Sequence, residues 1–157
     1  MLVVKNHNHA SFYWNTKEHD PSFNTSLAQG GRVNWNIYNP KYFTINGISH
    51  PNIMNNPIIN IAGNVGDTLI LYISNTGHGM RSIHFHGYHG EIVFSSTHPT
   101  TIGRSKDTFP VHPMEAVAIQ IVPDKPGIYP VHEHNLVAVT GNNYYPNGMF
   151  TLMNIQP

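Results

Sequence analysis

The stretch Ile83-His84-Phe85-His86-Gly87 has the pattern of a β-strand that carries a His-x-His pair. Side chains alternate between the two faces of a strand, so His84 and His86 project to one side, about 6.6 Å apart. The segment His132-Glu133-His134 carries a second such pair. Neighbouring strands would bring the four imidazoles onto one patch. Because imidazole is the commonest transition-metal ligand in proteins, the two pairs predict a metal site.

The alternative is that a chain with 12 histidines contains such pairs by chance, with the rings merely solvated. Both pairs lie in apolar strands, where an uncommitted polar group costs free energy. We therefore favour the metal site.

The composition fits one domain and excludes several classes of partner. The 157 residues can form one ordinary core. Eight basic residues balance eight acidic ones, which gives no electrostatic reason to expect nucleic acid or an anionic membrane as a partner. Only 10% of the residues are charged, against about 25% in typical soluble domains. A weakly charged surface favours an oligomer that covers part of it.

Cysteine is absent, which excludes disulfides, zinc–thiolate sites, cysteine nucleophiles and a blue-copper thiolate within this chain. The longest apolar run is far shorter than the roughly 20 residues that span a bilayer. The segment Met1-Leu2-Val3-Val4-Lys5 lacks the features of a signal peptide. We expect either a cytoplasmic protein or a form whose leader has been removed.

Turn signals separate many short β-rich runs, which predicts an all-β fold, a Greek-key β-sandwich. Residues 1–31 have little apolar periodicity and predict an irregular N-terminal arm, so the domain would span residues 32–157. A short helical segment is expected around Leu136–Val139. The predicted strands span residues 33–38, 42–46, 58–62, 68–74, 82–86, 91–95, 107–111, 116–122, 127–134 and 149–155.

The order of several motifs resembles the cupredoxin domain of multicopper oxidases over roughly residues 33–157. These motifs are Tyr42-Phe43-Thr44-Ile45-Asn46-Gly47, Val65-Gly66-Asp67-Thr68-Leu69, Ile83-His84-Phe85-His86-Gly87, Asp107-Thr108, Pro126-Gly127-Ile128-Tyr129, His132-Glu133-His134 and Gly148-Met149. The resemblance implies copper as cofactor. It makes His84 a type 2 copper ligand and His86, His132 and His134 ligands of the type 3 pair. It also implies a periplasmic or secreted location.

A second resemblance is to the C-terminal domain of copper nitrite reductases, which are trimers with copper between subunits. It rests on Gly87-Tyr88-His89-Gly90-Glu91-Ile92-Val93 and His134-Asn135-Leu136-Val137. It implies that His84 matches a histidine that handles protons and that His134 matches a ligand of the neighbour's copper. Those enzymes have aliphatic residues where this chain has His86 and His132, which favours the oxidase-type cluster.

The chain departs from the family pattern at the blue type 1 copper. The four family positions of that site hold Arg81, Glu133, Ala138 and Asn143 here, and these residues cannot rebuild a thiolate site. Glu133 should point inward, opposite to its two histidine neighbours. We therefore predict a buried or partly buried Arg81–Glu133 salt bridge at this place.

The other histidines carry weaker expectations. His89 should lie on the rim of the site, where it could serve as a structural residue or handle protons. His50, His98 and His112 each neighbour a proline, which indicates turns and argues against metal binding. His7 and His9 form a further pair in the predicted arm, where copper could bind adventitiously. Asp67 and Glu91 are candidates for hydrogen-bond acceptors behind the ligand histidines.

Two classes of function follow. The first is a copper oxidoreductase that reduces dioxygen or nitrite, with the cluster completed by another domain or subunit, most simply in a homotrimer, and electrons supplied by a donor protein. The second is a non-catalytic protein, which either stores or delivers copper or uses a metal to hold subunits together.

Overall fold

The computed structural model describes residues 8–23, 29–31, 34 and 36–157. Within these residues the strands follow from alternating burial. In the segment Thr68–Asn75, Leu69, Leu71 and Ile73 are buried, while the residues between them are partly or fully exposed. This period of two places one face of the strand against the core.

The described residues form eleven strands in two sheets that pack face to face, which confirms the predicted all-β sandwich. The strands are β1 His9–His19, β2 Tyr42–Ile45, β3 Ile61–Asn64, β4 Thr68–Asn75, β5 Arg81–Phe85, β6 Gly90–Ser95, β7 Ser105–Lys106, β8 Thr108–Val111, β9 Ala116–Ile121, β10 Gly127–Glu133 and β11 Phe150–Gln156. The six-stranded sheet has the order β2-β1-β4-β9-β6-β7, and the five-stranded sheet has the order β3-β11-β10-β5-β8.

Branched aliphatic and aromatic side chains from both sheets fill the core. Phe85 of β5 and Phe109 of β8 meet edge to face, with ring centroids 5.6 Å apart, and both are almost fully buried. Trp14 of β1 donates its indole N–H to the carbonyl of Ile59 at 2.9 Å, so its only polar atom is satisfied. These contacts join the edges of the sandwich to its centre.

The prediction of an irregular arm over residues 1–31 is wrong for His9–His19. This segment is β1, which pairs in parallel with β4 and antiparallel with β2. Trp14, Thr16 and Glu18 point into the molecule at alternate positions. The strand is held by its pairing with β4, which lies far along the chain and is not specified by the local sequence. Of the predicted His7–His9 pair, His9 begins β1, whereas His7 lies outside the described residues.

The predicted strand at residues 33–38 is also wrong for the described residues 34 and 36–38. The side chain of Asn34 accepts the N–H of Asn36 at 3.1 Å, and its carbonyl accepts the N–H of Ile37 at 3.1 Å. These local bonds make a turn that competes with a strand. Every other predicted strand overlaps an observed one, and the expected helical segment is a 3₁₀ turn at Leu136–Val139. Among the described residues, no helix is long and apolar enough to cross a lipid bilayer.

Candidate metal centre

The two histidine pairs lie side by side because β5 and β10 are antiparallel neighbours. Their register sets His84 opposite His132, with Phe85 opposite Val131. Phe85 and Glu133 point inward and are buried, at 1% and 0% exposure, as predicted. Because side chains alternate along a strand, the histidines that flank Phe85 and Glu133 point to the opposite face. The strand register therefore builds a patch of four imidazoles.

The rings within this histidine patch are close together. His84 lies 4.7 Å from His86, 5.5 Å from His132 and 5.2 Å from His134, measured between ring centroids. The Nε2 atoms of His86 and His132 are 3.1 Å apart. Ring nitrogens of His84, His86 and His132 all lie within 4.8 Å of one another, and His134 completes the patch at its exposed edge.

Backbone acceptors fix the orientation of two rings. Nδ1 of His84 lies 3.1 Å from the carbonyl oxygen of Asp107 and 2.9 Å from the hydroxyl of Thr108. Nδ1 of His132 lies 2.9 Å from the carbonyl oxygen of Glu133. A carbonyl can only accept, so each Nδ1 carries the proton and each Nε2 keeps its lone pair. This is the tautomer that binds metal through Nε2.

The carboxyl group of Asp107 extends the contact behind His84. The hydroxyl of Thr108 donates to Asp107 Oδ1 at 3.0 Å, so it accepts from the His84 ring. The hydrogen bond from Thr108 lowers the pKa of Asp107, and the nearby His84 lowers it further. The hydrogen bonds therefore run in one direction, from the His84 ring to the Thr108 hydroxyl and from that hydroxyl to the Asp107 carboxylate.

The surroundings of His86 favour the neutral form of its ring. Burial lowers its pKa, and the adjacent rings of His84, His132 and His134 lower it further, because positive charges close together repel. A neutral imidazole is the form that binds a metal ion.

The predicted Arg81–Glu133 salt bridge is wrong in its partner. The guanidinium of Arg81 pairs through Nη2 with Oε2 of Glu18, which comes from β1. Oε1 of Glu18 accepts the backbone N–H groups of His78 and Gly79 at 2.5 and 2.7 Å. The predicted bridge overlooked β1, which brings a second carboxylate to the same pocket.

Glu133 is nevertheless buried beside Arg81, at the position of the family's copper-binding cysteine. Its Oε1 accepts the N–H groups of Ser82 at 2.7 Å and Asn135 at 3.2 Å. Burial raises the pKa of Glu133, although these two bonds and the charge of Arg81 oppose the rise. Burial also lowers the pKa of Arg81, and Glu133 opposes that shift. Arg81 and Glu133, two of the four positions that the sequence resemblance assigns to a blue copper, are therefore both buried.

Asp67 and Glu91 do not lie behind the ligand histidines, where they were predicted to accept hydrogen bonds. Asp67 is buried between β3 and β4, where it accepts the backbone N–H groups of Asn8 and Asn64. Glu91 is exposed on β6, in the other sheet. The acceptors behind the histidines come instead from Asp107, Thr108 and Glu133. The Asp107-Thr108 pair was visible in the sequence as a family motif.

Two further groups of histidines lie away from the patch or at its edge. His89 is exposed on a loop after β5, and its charge helps to lower the pKa of Asp107. The ring of His50 lies 5.8 Å from that of Phe150, which stacks 6.0 Å from His132. His98 and His112 lie together, 4.1 Å apart between ring centroids, and both contact Glu115. Glu18 and Glu115 were not identified from the sequence.

Solved structures of copper enzymes have the same fold. The blue copper oxidase from Nitrosomonas europaea superposes with a TM-score of 0.80 at 22% identity, covering 99% of this chain and 46% of that one. The copper-containing nitrite reductase from Thermus scotoductus SA-01 gives 0.67 at 19%, covering 94% and 31%. A multicopper oxidase variant from Aquifex aeolicus gives 0.64 at 25%, covering 95% and 30%.

This chain therefore spans less than half the length of each of these three proteins. No curated protein sequence matches it significantly. The family profile described as multicopper oxidase matches residues 5–157, which include β1 and both histidine pairs. With the cupredoxin-type sandwich and a match over nearly its whole length, the chain belongs to the multicopper oxidase family, whose cofactor is copper.

Proposed function

We propose that this chain supplies one half of a type 2/type 3 copper cluster in an oxidoreductase that reduces dioxygen or nitrite. The ligands would be His84 for the type 2 copper and His86, His132 and His134 for the type 3 pair. The observation that carries the proposal is the 3.1 Å separation between Nε2 of His86 and Nε2 of His132. Two nitrogens bound to one metal at about 2.0 Å lie about 3 Å apart.

The donor set of the histidine patch fits copper. Neutral imidazole suits copper, zinc and iron, and this patch consists of imidazoles without a thiolate. The protons on Nδ1 of His84 and His132 leave Nε2 free on both rings. Bound copper would supply the redox centre that passes electrons to the substrate.

The residues around the patch would keep the ligands in place. Thr108 and the Asp107 carbonyl hold His84 through its Nδ1, and the Glu133 carbonyl holds His132 in the same way. Such acceptors fix the ring orientation and the tautomer of a ligand, and they commonly change metal affinity by 10–100-fold.

A second subunit or domain would supply the other half of the cluster. His86 and His134 are exposed, and so are Leu136 and Val137, at 60% and 61%. An apolar rim next to incomplete ligands is typical of a surface that another chain covers. Closed symmetry would complete the site with copies of one chain, and we propose a homotrimer. Light scattering on the copper-loaded protein tests this, and a monomer that binds copper would contradict it.

Electrons would have to reach the cluster from outside this chain. The type 1 position is filled by Arg81 and Glu133, both buried. We propose a separate donor protein or domain, in an extracytoplasmic compartment as for the family that the sequence resembles. The same observation favours a second candidate function, copper storage or delivery without turnover, since the described residues hold no electron-entry copper site.

An activity assay tests the first function. The copper-loaded protein is given a chemical electron donor, and the reduction of dioxygen and nitrite is followed. We expect turnover with at least one of the two, and its loss in the variant His132→Gln. The control variant His78→Gln changes an exposed histidine outside the patch and should leave turnover unchanged. Absence of turnover with both substrates contradicts the catalytic proposal.

Metal content separates the candidates. Mass spectrometry of protein purified without added metal should find several coppers per subunit for the oxidoreductase. A single labile copper favours storage or delivery. Zinc instead of copper favours a metal that only joins subunits.

A further inference from the structure

His98, His112 and Glu115 come from two separate segments, the loop after β6 and the turn between β8 and β9, and meet at one point. His98 follows β6, His112 follows β8, and Glu115 precedes β9. Nδ1 of His98 is 3.0 Å from Oε1 of Glu115, and Nδ1 of His112 is 2.8 Å from Oε2. The turn between β8 and β9 is thereby joined to the loop after β6.

The carboxylate of Glu115 has one acceptor position left at each oxygen. Oε1 accepts the hydroxyl of Ser95 at 2.6 Å, and Oε2 accepts the backbone N–H of His112 at 2.8 Å. Each carboxylate oxygen has two lone pairs, and one of them is used by these bonds. The remaining lone pair on each oxygen faces the Nδ1 atom of an imidazole ring. Ser95 and the backbone therefore hold the carboxylate while its open side faces both rings.

Charge and exposure suit a cation at this point. The side chain of Glu115 is only 2% exposed, whereas those of His98 and His112 are 44% and 41% exposed. Burial acts to raise the pKa of Glu115, but the bonds from Ser95, the His112 backbone and both rings lower it to about 2. The ionised carboxylate is thus fixed inside, and the rings lie at the surface, where an ion can enter and keep water ligands.

We propose that His98, His112 and Glu115 form a second metal site, which binds a divalent transition-metal ion such as Zn²⁺ through the two Nδ1 atoms and the carboxylate. Nitrogen–oxygen separations of 2.8–3.0 Å match two ligands at about 2.0–2.1 Å from one ion. Two imidazoles and one carboxylate suit zinc or copper better than calcium or magnesium, which take oxygen ligands.

Binding at Nδ1 requires each ring to carry its proton on Nε2 instead. Both rings are partly exposed, so the proton can pass to Nε2 through solvent without leaving a buried charge. The hydroxyl of Thr97 lies 2.9 Å from Nδ1 of His98 and can donate or accept, so it tolerates either tautomer.

This second site is separate from the histidine patch. Thr108, at one end of β8, lies opposite His84, whereas Val111 at the other end lies opposite Arg81. His112 is four residues beyond Thr108, or about 13 Å at roughly 3.3 Å per residue. The ion would therefore tie two loops together and would not share ligands with the patch.

Zinc titration by calorimetry tests the proposal on the full chain. The background variant has glutamine at positions 84, 86, 132 and 134, so that the patch no longer binds. Adding His98→Gln and His112→Gln should remove one equivalent of Zn²⁺ per chain. Adding His78→Gln and His89→Gln instead, a matched pair of exposed histidines, should remove none. Equal zinc binding with and without His98 and His112 overturns the proposal.

Diffraction keeps the proposal testable if the background variant does not fold. Wild-type crystals soaked in Zn²⁺ are measured at the zinc edge. We expect an anomalous peak about 2 Å from both Nδ1 atoms. A map with zinc at the histidine patch and none beside Glu115 overturns the proposal.

Discussion

The guanidinium of Arg81 pairs with Glu18 of β1, while Glu133 of β10 stays outside that pair. All three side chains are buried, at 3%, 4% and 0% exposure. Among the described residues, Nε of Arg81 and Oε2 of Glu133 have no hydrogen-bond partner. One buried cation therefore lies close to two buried acidic side chains. Arg81 also lies over the ring of Phe43, with its guanidinium carbon 5.7 Å from the ring centroid.

Glu18→Gln should be much more destabilising than Glu133→Gln. The first change leaves Arg81 as a buried charge without its partner, which typically costs ~3–5 kcal/mol. The second change keeps an oxygen for the N–H groups of Ser82 and Asn135 and removes a carboxylate that burial already disfavours, so we expect less than about 1 kcal/mol. Urea denaturation measures both, and Glu91→Gln on the exposed face of β6 is the control. Equal losses for the two variants would contradict this account.

The pH dependence of Glu133 has a definite sign. Its pKa is raised in the folded protein, so the folded state holds a proton more tightly than the unfolded state. The corresponding stability is present at low pH and is lost as the pH rises through the folded pKa. Glu133→Gln should therefore gain stability relative to wild type as the pH increases above the usual glutamate range. A constant difference between the two from pH 4 to pH 9 would contradict the raised pKa.

Strand alternation made the inward side chains and the histidine patch predictable from the sequence. The period of two, applied to residues 83–87 and 132–134, correctly placed Phe85 and Glu133 in the interior. Neighbouring strands then had to bring the histidines together. The prediction of the histidine patch needed only the alternation of side chains along a strand and one long-range pairing, that of β5 with β10.

Contacts among distant segments could not be predicted in the same way. Glu18 reaches Arg81 only because β1 pairs in parallel with β4, about sixty residues later, and nothing local specifies that pairing. The alternation of Ala10, Phe12 and Trp14 was the available signal for β1. Glu115 meets His98 and His112 through two separate turns, and the spacing of His112 and Glu115 was the only local trace of that cluster.

Thr108→Val should weaken copper binding at the patch by roughly 10–100-fold. Losing a hydrogen-bond acceptor from the non-coordinating nitrogen of a ligand histidine typically has an effect of this size. Valine has nearly the same shape and favours a strand, but it lacks the hydroxyl that lies 2.9 Å from Nδ1 of His84. Copper titration monitored by fluorescence gives the affinities. Thr108→Ser, which keeps the hydroxyl, should bind like wild type, and equal affinities for the valine and serine variants would show that the hydroxyl does not hold His84.

Metal-free protein should lose stability between about pH 4.5 and pH 2 because of Glu115. Its pKa falls from 4.5 to about 2 on folding, so the folded state binds fewer protons than the unfolded state in this range. The stability it contributes is complete above pH 4.5 and disappears as the pH drops, on the order of 3 kcal/mol in total. Urea denaturation at pH 5 and pH 3 measures the loss. Glu115→Gln should show a correspondingly smaller loss, and an unchanged loss would contradict the lowered pKa.

Diffraction from copper-loaded crystals at the copper absorption edge locates the metal and so tests the proposed copper site. We predict anomalous peaks within about 2 Å of ring nitrogens of His84, His86, His132 and His134, and no peak in the Arg81–Glu133 pocket. Copper absent from these four histidines, or bound beside Arg81 and Glu133, would contradict the proposed site.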